Sequence, residues 1–209
     1  MENFVIAITR TCGSGGTTVG KMLAEHYGIS LYGRELLRMA SADSGINEAL
    51  FVKADENMKK SLLFRVTKKV YADNIIPPEG DASDFISHDN LFNYQAKALK
   101  ELAASESYVV IGRAADFVLR DNPNMISVFL YGTPEFCLKH EVAKFGLEPE
   151  HAKKHIKKMN RYRAEYYHYY TGRDWLDPGN YDLCINTGRF GFENTAALVQ
   201  GYIAKRLPA

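Results

Sequence analysis

Short, nearly continuous apolar runs alternate along the chain with longer segments in which apolar positions recur at helical spacing. Three runs have the composition of strands buried on both faces: residues 4–8, 108–111 and 126–130. Residues 182–186 predict a fourth strand, and residues 30–32 predict a short additional one. Helices are predicted at about 17–27, 34–42, 59–75, 87–105, 134–145, 149–170 and 193–206. This alternation predicts an α/β fold with a parallel sheet and right-handed crossovers.

Two connections between predicted strands are longer than a simple crossover needs. Residues 44–106 and residues 133–175 each hold at least two helices. Long connections in a compact domain commonly serve as lids or binding elements. Both leave the carboxyl ends of strands, which is where open α/β sheets bind ligands.

A glycine-rich turn joins the first strand to the first helix and is the strongest functional signal. Gly13, Gly15 and Gly16 allow the backbone to turn its N–H groups inward, at the point where a helix dipole begins. Such a set of amides favours an anion, most often a phosphate. The alternative is a plain glycine-rich turn between a strand and a helix.

The turn does not fit the common nucleotide motifs without change. The dinucleotide fingerprint fails because Thr18 stands where the third glycine belongs. A Walker match from Gly15 to Lys21 would place its lysine inside the helix. The register that respects the strand end puts Arg10 in place of the first glycine and Gly16 in place of the lysine. Thr17 then takes the position of the hydroxyl.

Composition and charge narrow the possible functions. Twenty-six Lys and Arg oppose 25 Asp and Glu, which gives a net charge of +1 and argues against a nucleic-acid partner bound through bulk charge. No apolar run is long enough to span a bilayer, and no signal peptide is recognisable. Three scattered cysteines indicate reduced thiols. We therefore expect a cytoplasmic protein with no membrane partner, and a homodimer stays open.

The predicted helix over 149–170 carries two arginines with different expected roles. Arg163 lies within the apolar stripe of the helix, so its guanidinium is predicted to face inward and to need a carboxylate or a phosphate. Arg161 points to the opposite side, four residues before Glu165, which favours a surface ion pair. Arg173 follows in a loop from which it can reach phosphates if the segment closes.

Aromatic and histidine residues in the same region have more than one interpretation. A cluster of six aromatic residues could pack against the core or stack on a base. Its members are Tyr162, Tyr166, Tyr167, Tyr169, Tyr170 and Trp175. His151 and His155 have the spacing to share a metal, but the sequence offers no third ligand at suitable spacing.

The residues together resemble the cytidylate kinase-like family. The resemblance covers nearly the whole chain and is carried by residues 8–16, 23–28, 112–113, 163–175 and 180–187. It implies a P-loop nucleoside monophosphate kinase fold: three α/β/α layers, a five-stranded parallel sheet, and helical monophosphate-binding and lid insertions. The chain would be one domain over 1–209. Its core would be about 1–43, 107–132 and 176–209, with an acceptor-binding insertion at 44–106 and a lid at 133–175.

The resemblance also implies a set of site residues. ATP phosphates would be held by the loop that starts at Arg10 and continues through Gly13, Ser14, Gly15, Gly16, Thr17 and Thr18. Thr17 would be the hydroxyl nearest to the Mg²⁺ of the nucleotide. Arg38 and Arg113 would hold the acceptor phosphate. Ala114 stands where the family's cytidylate kinases have an aspartate, and Asp116 is a candidate substitute.

The expected activity is transfer of the γ-phosphoryl group of ATP to a nucleoside monophosphate, with CMP implied by the resemblance. Catalytic charge would come from Arg10, Arg163 and Arg173, since losing one electrostatic stabiliser costs about 10²–10³ in rate. Three alternatives remain open: a nucleotide-binding sensor or partner protein with little activity, a kinase of a non-nucleotide small molecule, and an RNA-binding module.

Overall fold

The computed structural model describes residues 2–33 and 88–207. The predicted helices at 34–42 and 59–75, and the candidate acceptor residue Arg38, lie outside the described residues. The chain divides into two compact units, one made of residues 1–33 with 99–209 and the other of residues 34–98. The second unit overlaps most of the predicted insertion at 44–106. The predicted lid at 133–175 belongs to the first unit.

The first unit contains a parallel sheet of five strands. The strands are β1 (Val5–Arg10), β2 (Ser30–Tyr32), β3 (Tyr108–Ile111), β4 (Met125–Tyr131) and β5 (Leu183–Asn186). Their order in the sheet is β2-β3-β1-β4-β5, and every pairing is parallel. The structure thus confirms the predicted α/β fold and its five-stranded sheet.

Five helices lie close to the predicted bounds, while the two four-residue helices that follow β3 and β5 were not predicted; the described residues hold seven α-helices in all. They are α1 (Gly16–Tyr27), α2 (His88–Ser105), α3 (Ala115–Val118), α4 (Pro134–Phe145), α5 (Pro149–Thr171), α6 (Thr187–Phe190) and α7 (Phe192–Arg206). Local chemistry sets several ends. Gly28 stops α1 in a left-handed conformation with φ 64°, and the Thr133 side chain caps the start of α4, where Pro134 follows.

The core lies where helices α1 and α7 pack on the sheet. Ile6 and Ile8 of β1 are at most 1% exposed, as is Leu23 of α1, and Val199 and Ile203 of α7 complete the same cluster. Burial of this kind stabilises a strand by roughly 1.5–3 kcal/mol for each large apolar side chain. The sheet therefore gives the loop that follows β1 a rigid base.

The topology fixes where a ligand site is expected. β1 lies between β3 and β4, so the chain turns to opposite sides of the sheet at this point. Open α/β sheets bind ligands at such a switch point, outside the carboxyl ends of the strands. Within the described residues, no helix combines the length and the apolar character that crossing a membrane requires.

Candidate functional site

The loop between β1 and α1 has a conformation that needs glycine. Gly13 has φ 84° and Gly15 has φ 76°, both in the left-handed region. A Cβ atom on Gly13 would lie 2.5 Å from the carbonyl oxygen of Cys137, and one on Gly15 would overlap the ring of Phe192. Backbone conformation and close packing thus both exclude a side chain at Gly13 and Gly15, so the loop keeps a tight turn before α1.

Two hydroxyl groups hold the loop from inside the protein. The Ser14 hydroxyl lies within hydrogen-bond distance of the carbonyl oxygens of Thr11 and Leu130, at 2.9 and 3.0 Å. The Thr187 hydroxyl lies 2.8 Å from the Ser14 carbonyl oxygen and 3.0 Å from that of Tyr131. Both side chains are fully buried. Ser14, predicted as a phosphate ligand, therefore uses its side chain to support the loop in this conformation.

Arg10 and Gly16 lie against each other at the two ends of the loop. A Cβ atom on Gly16 would be 2.7 Å from Cγ of Arg10 and 2.9 Å from its Cβ. At the other end of the same side chain, a Cβ on Gly112 would overlap Nη1 of Arg10. The Arg10 side chain thus runs from Gly16 to the carboxyl end of β3.

The segment after β3 contains the most unusual backbone among the described residues. Gly112, Arg113 and Ala114 follow one another with φ 75°, 65° and 50°. A left-handed conformation costs roughly 1–2 kcal/mol for a residue with a side chain. Strained backbone of this kind is concentrated at ligand sites. The predicted acceptor residue Arg113 is therefore presented by a strained turn beside Arg10.

Asp116 is buried behind this turn, with only 4% of its surface exposed. Tyr167 donates a hydrogen bond of 2.6 Å to one of its carboxylate oxygens, and Thr9 donates one of 3.4 Å to the other. Burial raises the pKa of Asp116 above the ordinary range, and these hydrogen bonds oppose the shift. In this conformation Asp116 joins β1 to α5, and its predicted contact with an acceptor stays a prediction.

One face of α5 lies against the glycine loop and its base. Asn160 accepts a hydrogen bond of 2.7 Å from the backbone N–H of Cys12, and Arg163 donates one of 3.1 Å to the carbonyl oxygen of Arg10. Tyr167 continues the same face to Asp116. The predicted inward direction of Arg163 is confirmed, with a backbone carbonyl as its hydrogen-bond acceptor in this conformation.

The electrostatics of Arg163 reflect its half-buried position on the inward face of the helix. Burial lowers the pKa of its guanidinium, while the nearby Cys12 and Glu141 favour the charged form. On the opposite face of the helix, Arg161 makes the predicted ion pair with Glu165 at 2.6 Å, and the Arg161 side chain is 79% exposed. The helix therefore separates one half-buried, inward-facing cation from one solvent-exposed cation.

The remaining predicted site residues lie near the edge of this region. Thr17 is exposed and Thr18 half-buried in the first turn of α1. Arg173 is exposed just beyond α5, donates to the side chain of Asn180 at 3.4 Å, and lies over the Phe117 ring at 5.3 Å. No contact of Arg173 with the glycine loop appears among the described interactions.

The aromatic group divides into two parts. Trp175 and Tyr167 are buried, and Trp175 packs edge-on against Phe129 at 5.6 Å, which confirms a packing role for these two. Other tyrosines of α5 contact one another along the helix, as in the pair Tyr166 and Tyr170 at 4.8 Å. Base stacking by these other rings stays a prediction.

Sequence reasoning missed several residues that shape the loop. Asn160 lies three residues before Arg163, so its place on the inward face was readable from helical spacing. Thr187, Phe192 and Cys137 reach the loop from distant parts of the chain, and no local pattern marks them. These contacts come from tertiary packing alone.

Comparison with known proteins identifies the family of the chain. A model of the cytidylate kinase-like family matches residues 5–189. A cytidylate kinase from Methanopyrus kandleri is 23% identical over 202 residues, which cover 95% of this chain and 92% of that protein. The crystal structure of an uncharacterized protein from Eubacterium ventriosum is 30% identical, covers 98% of this chain and all of that one, and has a TM-score of 0.71.

A more distant structure shares the fold. A sugar kinase from Janibacter sp. HTCC2649 superposes with a TM-score of 0.52 at 16% identity, over 97% of this chain and 96% of that one. The glycine loop after β1, the parallel sheet and the family match lead to one conclusion. The chain has the P-loop kinase fold and belongs to the cytidylate kinase-like family.

Proposed function

We propose that this protein transfers the γ-phosphoryl group of ATP to a nucleoside monophosphate, with CMP or dCMP as the acceptor. The observation that carries the proposal is the gathering of cationic groups at one edge of the sheet. Arg163 donates to the backbone of Arg10, and the Arg10 side chain extends to Gly112, next to Arg113. Two phosphorylated substrates need such charge, because phosphoryl transfer depends mainly on positioning and neutralisation.

The glycine loop fits the phosphates of the donor. Glycines in the left-handed conformation at the start of a helix are typical of loops whose backbone N–H groups bind phosphate, and the dipole of α1 adds about half a positive charge there. Residues 13–18 would hold the phosphates through these amides. The exposed Thr17 is the residue of the first turn whose hydroxyl suits the Mg²⁺ that accompanies ATP, and that ion would neutralise charge on the phosphates.

Arg10 takes the place of the lysine that P-loop kinases usually carry after the second glycine of the loop. Its side chain passes directly over Gly16, the position of the missing lysine. A guanidinium is always charged and can contact two phosphate oxygens at once, whereas an ammonium acts as a point charge. The loop would therefore keep one cation close to the transferring phosphoryl group, and that cation would come from the end of β1 and not from the start of α1.

The acceptor would be held by Arg113 and by Arg38, which lies outside the described residues. The acceptor phosphate is itself the nucleophile, so the reaction needs no general base from the protein. Arg163 would add charge next to the loop, and Arg173 would approach when the lid closes and excludes water. The 23% identity with the Methanopyrus cytidylate kinase supports a cytidine nucleotide as acceptor.

A second candidate function is nucleotide binding with little transfer. Two observations favour it: Gly16 stands at the lysine position, and Asn160 already accepts from the N–H of Cys12 in the loop. A protein of this kind would bind ATP as a sensor or a partner protein. This second candidate predicts that the protein binds ATP about as tightly as a kinase does but transfers no phosphoryl group.

The test is transfer from γ-labelled ATP with Mg²⁺ to a panel of ribo- and deoxyribonucleoside monophosphates, with each product identified. Labelled CDP or dCDP formed faster than any other diphosphate is the expected result. Another labelled diphosphate would retain the kinase and correct the acceptor. Absence of all labelled products, in a preparation that binds ATP by calorimetry, would reject a nucleoside monophosphate kinase and favour the sensor or a kinase of a non-nucleotide small molecule.

A further inference from the structure

Three side chains with metal-binding atoms meet beside the glycine loop. The thiol of Cys12, the carboxylate of Glu141 and the imidazole of His155 have ligand atoms that all lie within 4.8 Å of one another. Cys12 comes from the loop, Glu141 from α4 and His155 from α5. None of the three is used in the proposed phosphoryl transfer.

The surroundings of this cluster are protected but open on one side. Cys12 and Glu141 are each 5% exposed, whereas the His155 side chain is 43% exposed. Nε2 of His155 lies 3.8 Å from a carboxylate oxygen of Glu141, which is too long for a hydrogen bond. The buried carboxylate thus faces an imidazole without a direct bond, and the imidazole connects the cluster to solvent.

The donor set selects the class of metal. A thiolate with an imidazole suits Zn²⁺ and related transition metals, whereas Mg²⁺ prefers oxygen ligands. Tetrahedral zinc with bonds of about 2.0–2.3 Å places its ligand atoms roughly 3.3–3.7 Å apart. The ligand atoms lie within 4.8 Å of one another, which is at most about 1.1–1.5 Å beyond these values. Metal binding therefore requires the three side chains to rotate closer together.

We propose that Cys12, Glu141 and His155 form a binding site for Zn²⁺ or a similar divalent transition metal, distinct from the Mg²⁺ that accompanies ATP. Three protein ligands leave a fourth position for water. On binding, the sulfur–hydrogen bond of Cys12 breaks, its electron pair forms the bond to the metal, and the proton leaves to solvent. The ionised carboxylate and neutral imidazole bind without losing a proton.

The charges near the site affect its strength in opposite ways. Burial, opposed by Arg163 and assisted by Glu141, raises the pKa of the Cys12 thiol to about 11. A bound divalent ion brings the three ligands to neutrality, so the Arg163 charge remains as an excess of one. We therefore expect a lower Zn²⁺ affinity than that of a solvent-exposed site with the same three ligands and no neighbouring cation.

A bound metal would join three separate elements. Cys12 is followed at once by Gly13, where loop and α4 are already in close contact. The metal would tether the glycine loop to α4 and α5, which together make up most of the predicted lid. The inference does not rest on the proposed kinase activity, because it concerns metal affinity alone.

The test uses the full chain in excess Mg²⁺, with Co²⁺ as a spectroscopic probe and Zn²⁺ titrated by calorimetry. Expected results are one Zn²⁺ per chain and a thiolate-to-cobalt charge-transfer band. His155→Gln should weaken Zn²⁺ binding about 10-fold or more, which is the lower end of what outer-shell changes alone produce. The matched control His151→Gln, an exposed histidine one turn earlier on α5, should leave affinity unchanged.

Cys12→Ser should remove the thiolate-to-cobalt band, and cysteine reactivity gives a second readout if that variant does not fold. The buried Cys12 is alkylated slowly, so alkylation is followed over hours by mass spectrometry; Zn²⁺ should slow it further at Cys12 and leave the exposed Cys184 unaffected. Equal Zn²⁺ affinity in wild type and His155→Gln would overturn the proposal. So would a cobalt complex without the thiolate band, or unchanged alkylation of Cys12 in the presence of Zn²⁺.

Discussion

The side chain of Arg10 occupies the space that a side chain on residue 16 would need. A Cβ on Gly16 would lie 2.7 Å from Arg10 Cγ, closer than real carbon atoms approach. A lysine at position 16 and an arginine at position 10 therefore cannot both fit in this conformation, and the glycine at position 16 makes room for the Arg10 side chain. The substitutions Arg10→Gly and Gly16→Lys together would restore the pattern G-x-x-x-x-G-K-T over residues 10–17.

The two arginines of α5 should differ strongly in their effect on transfer. Arg163→Ala removes an inward-facing, half-buried cation that donates to the Arg10 carbonyl, and we expect kcat to fall by about 10²–10³. Arg161→Ala removes only an exposed ion pair with Glu165 and should change kcat less than twofold. Steady-state kinetics with the best monophosphate measures both. Equal losses would refute the assignment of the inward face.

The hydroxyl of Thr187 should support ATP binding through the glycine loop. Thr187→Val leaves the carbonyl oxygens of Ser14 and Tyr131 without this partner, at a cost of about 1–3 kcal/mol in the free energy of unfolding. ATP affinity should fall several-fold, as measured by calorimetry. Thr195→Val is the matched control, because its buried hydroxyl bonds only to Gly191 at the start of its own helix. ATP affinity lowered equally in both variants would contradict a specific role for Thr187.

The buried carboxyl of Asp116 should make stability depend on pH. Its pKa is raised in the folded protein, so the folded state holds the proton more tightly than the unfolded state. The free energy of unfolding of wild type should therefore decline as pH rises from the ordinary aspartate pKa through the raised value. Asp116→Asn should not show this component of the decline.

Urea unfolding across this pH range compares wild type with Asp116→Asn. Asp121→Asn, which changes an exposed carboxyl, is the control. A difference between wild type and Asp116→Asn that does not vary with pH would show that Asp116 does not titrate as described.

The sequence predicted those parts of the site that depend on local geometry. Helical spacing placed Arg163 on the inward face and Arg161 opposite, because the period of a helix is fixed by its backbone. The glycines of the loop were recognisable for the same reason, since a turn with positive φ needs them.

Contacts between distant segments could not be predicted. Cys12, Glu141 and His155 belong to three elements, and only the packing of α4 and α5 on the loop brings them together. Sequence spacing could not identify further metal ligands for His155, because Cys12 and Glu141 lie far from it along the chain. Likewise, the substitution at Gly16 was visible, but the path of the Arg10 side chain over it depends on the folded loop.

The most direct test of the account is the rate of γ-phosphoryl transfer from ATP to CMP in wild type, Arg10→Gly, Gly16→Lys and the double variant. Arg10→Gly should lose about 10²–10³ in rate because no loop cation remains. Gly16→Lys should also be slower, since its side chain collides with Arg10. The double variant should be at least about tenfold faster than Arg10→Gly, and because Gly16→Lys alone is also slower, the coupling between the two positions should exceed about 1.4 kcal/mol. Losses that simply add in the double variant, or a wild type that transfers nothing to any monophosphate, would contradict the account.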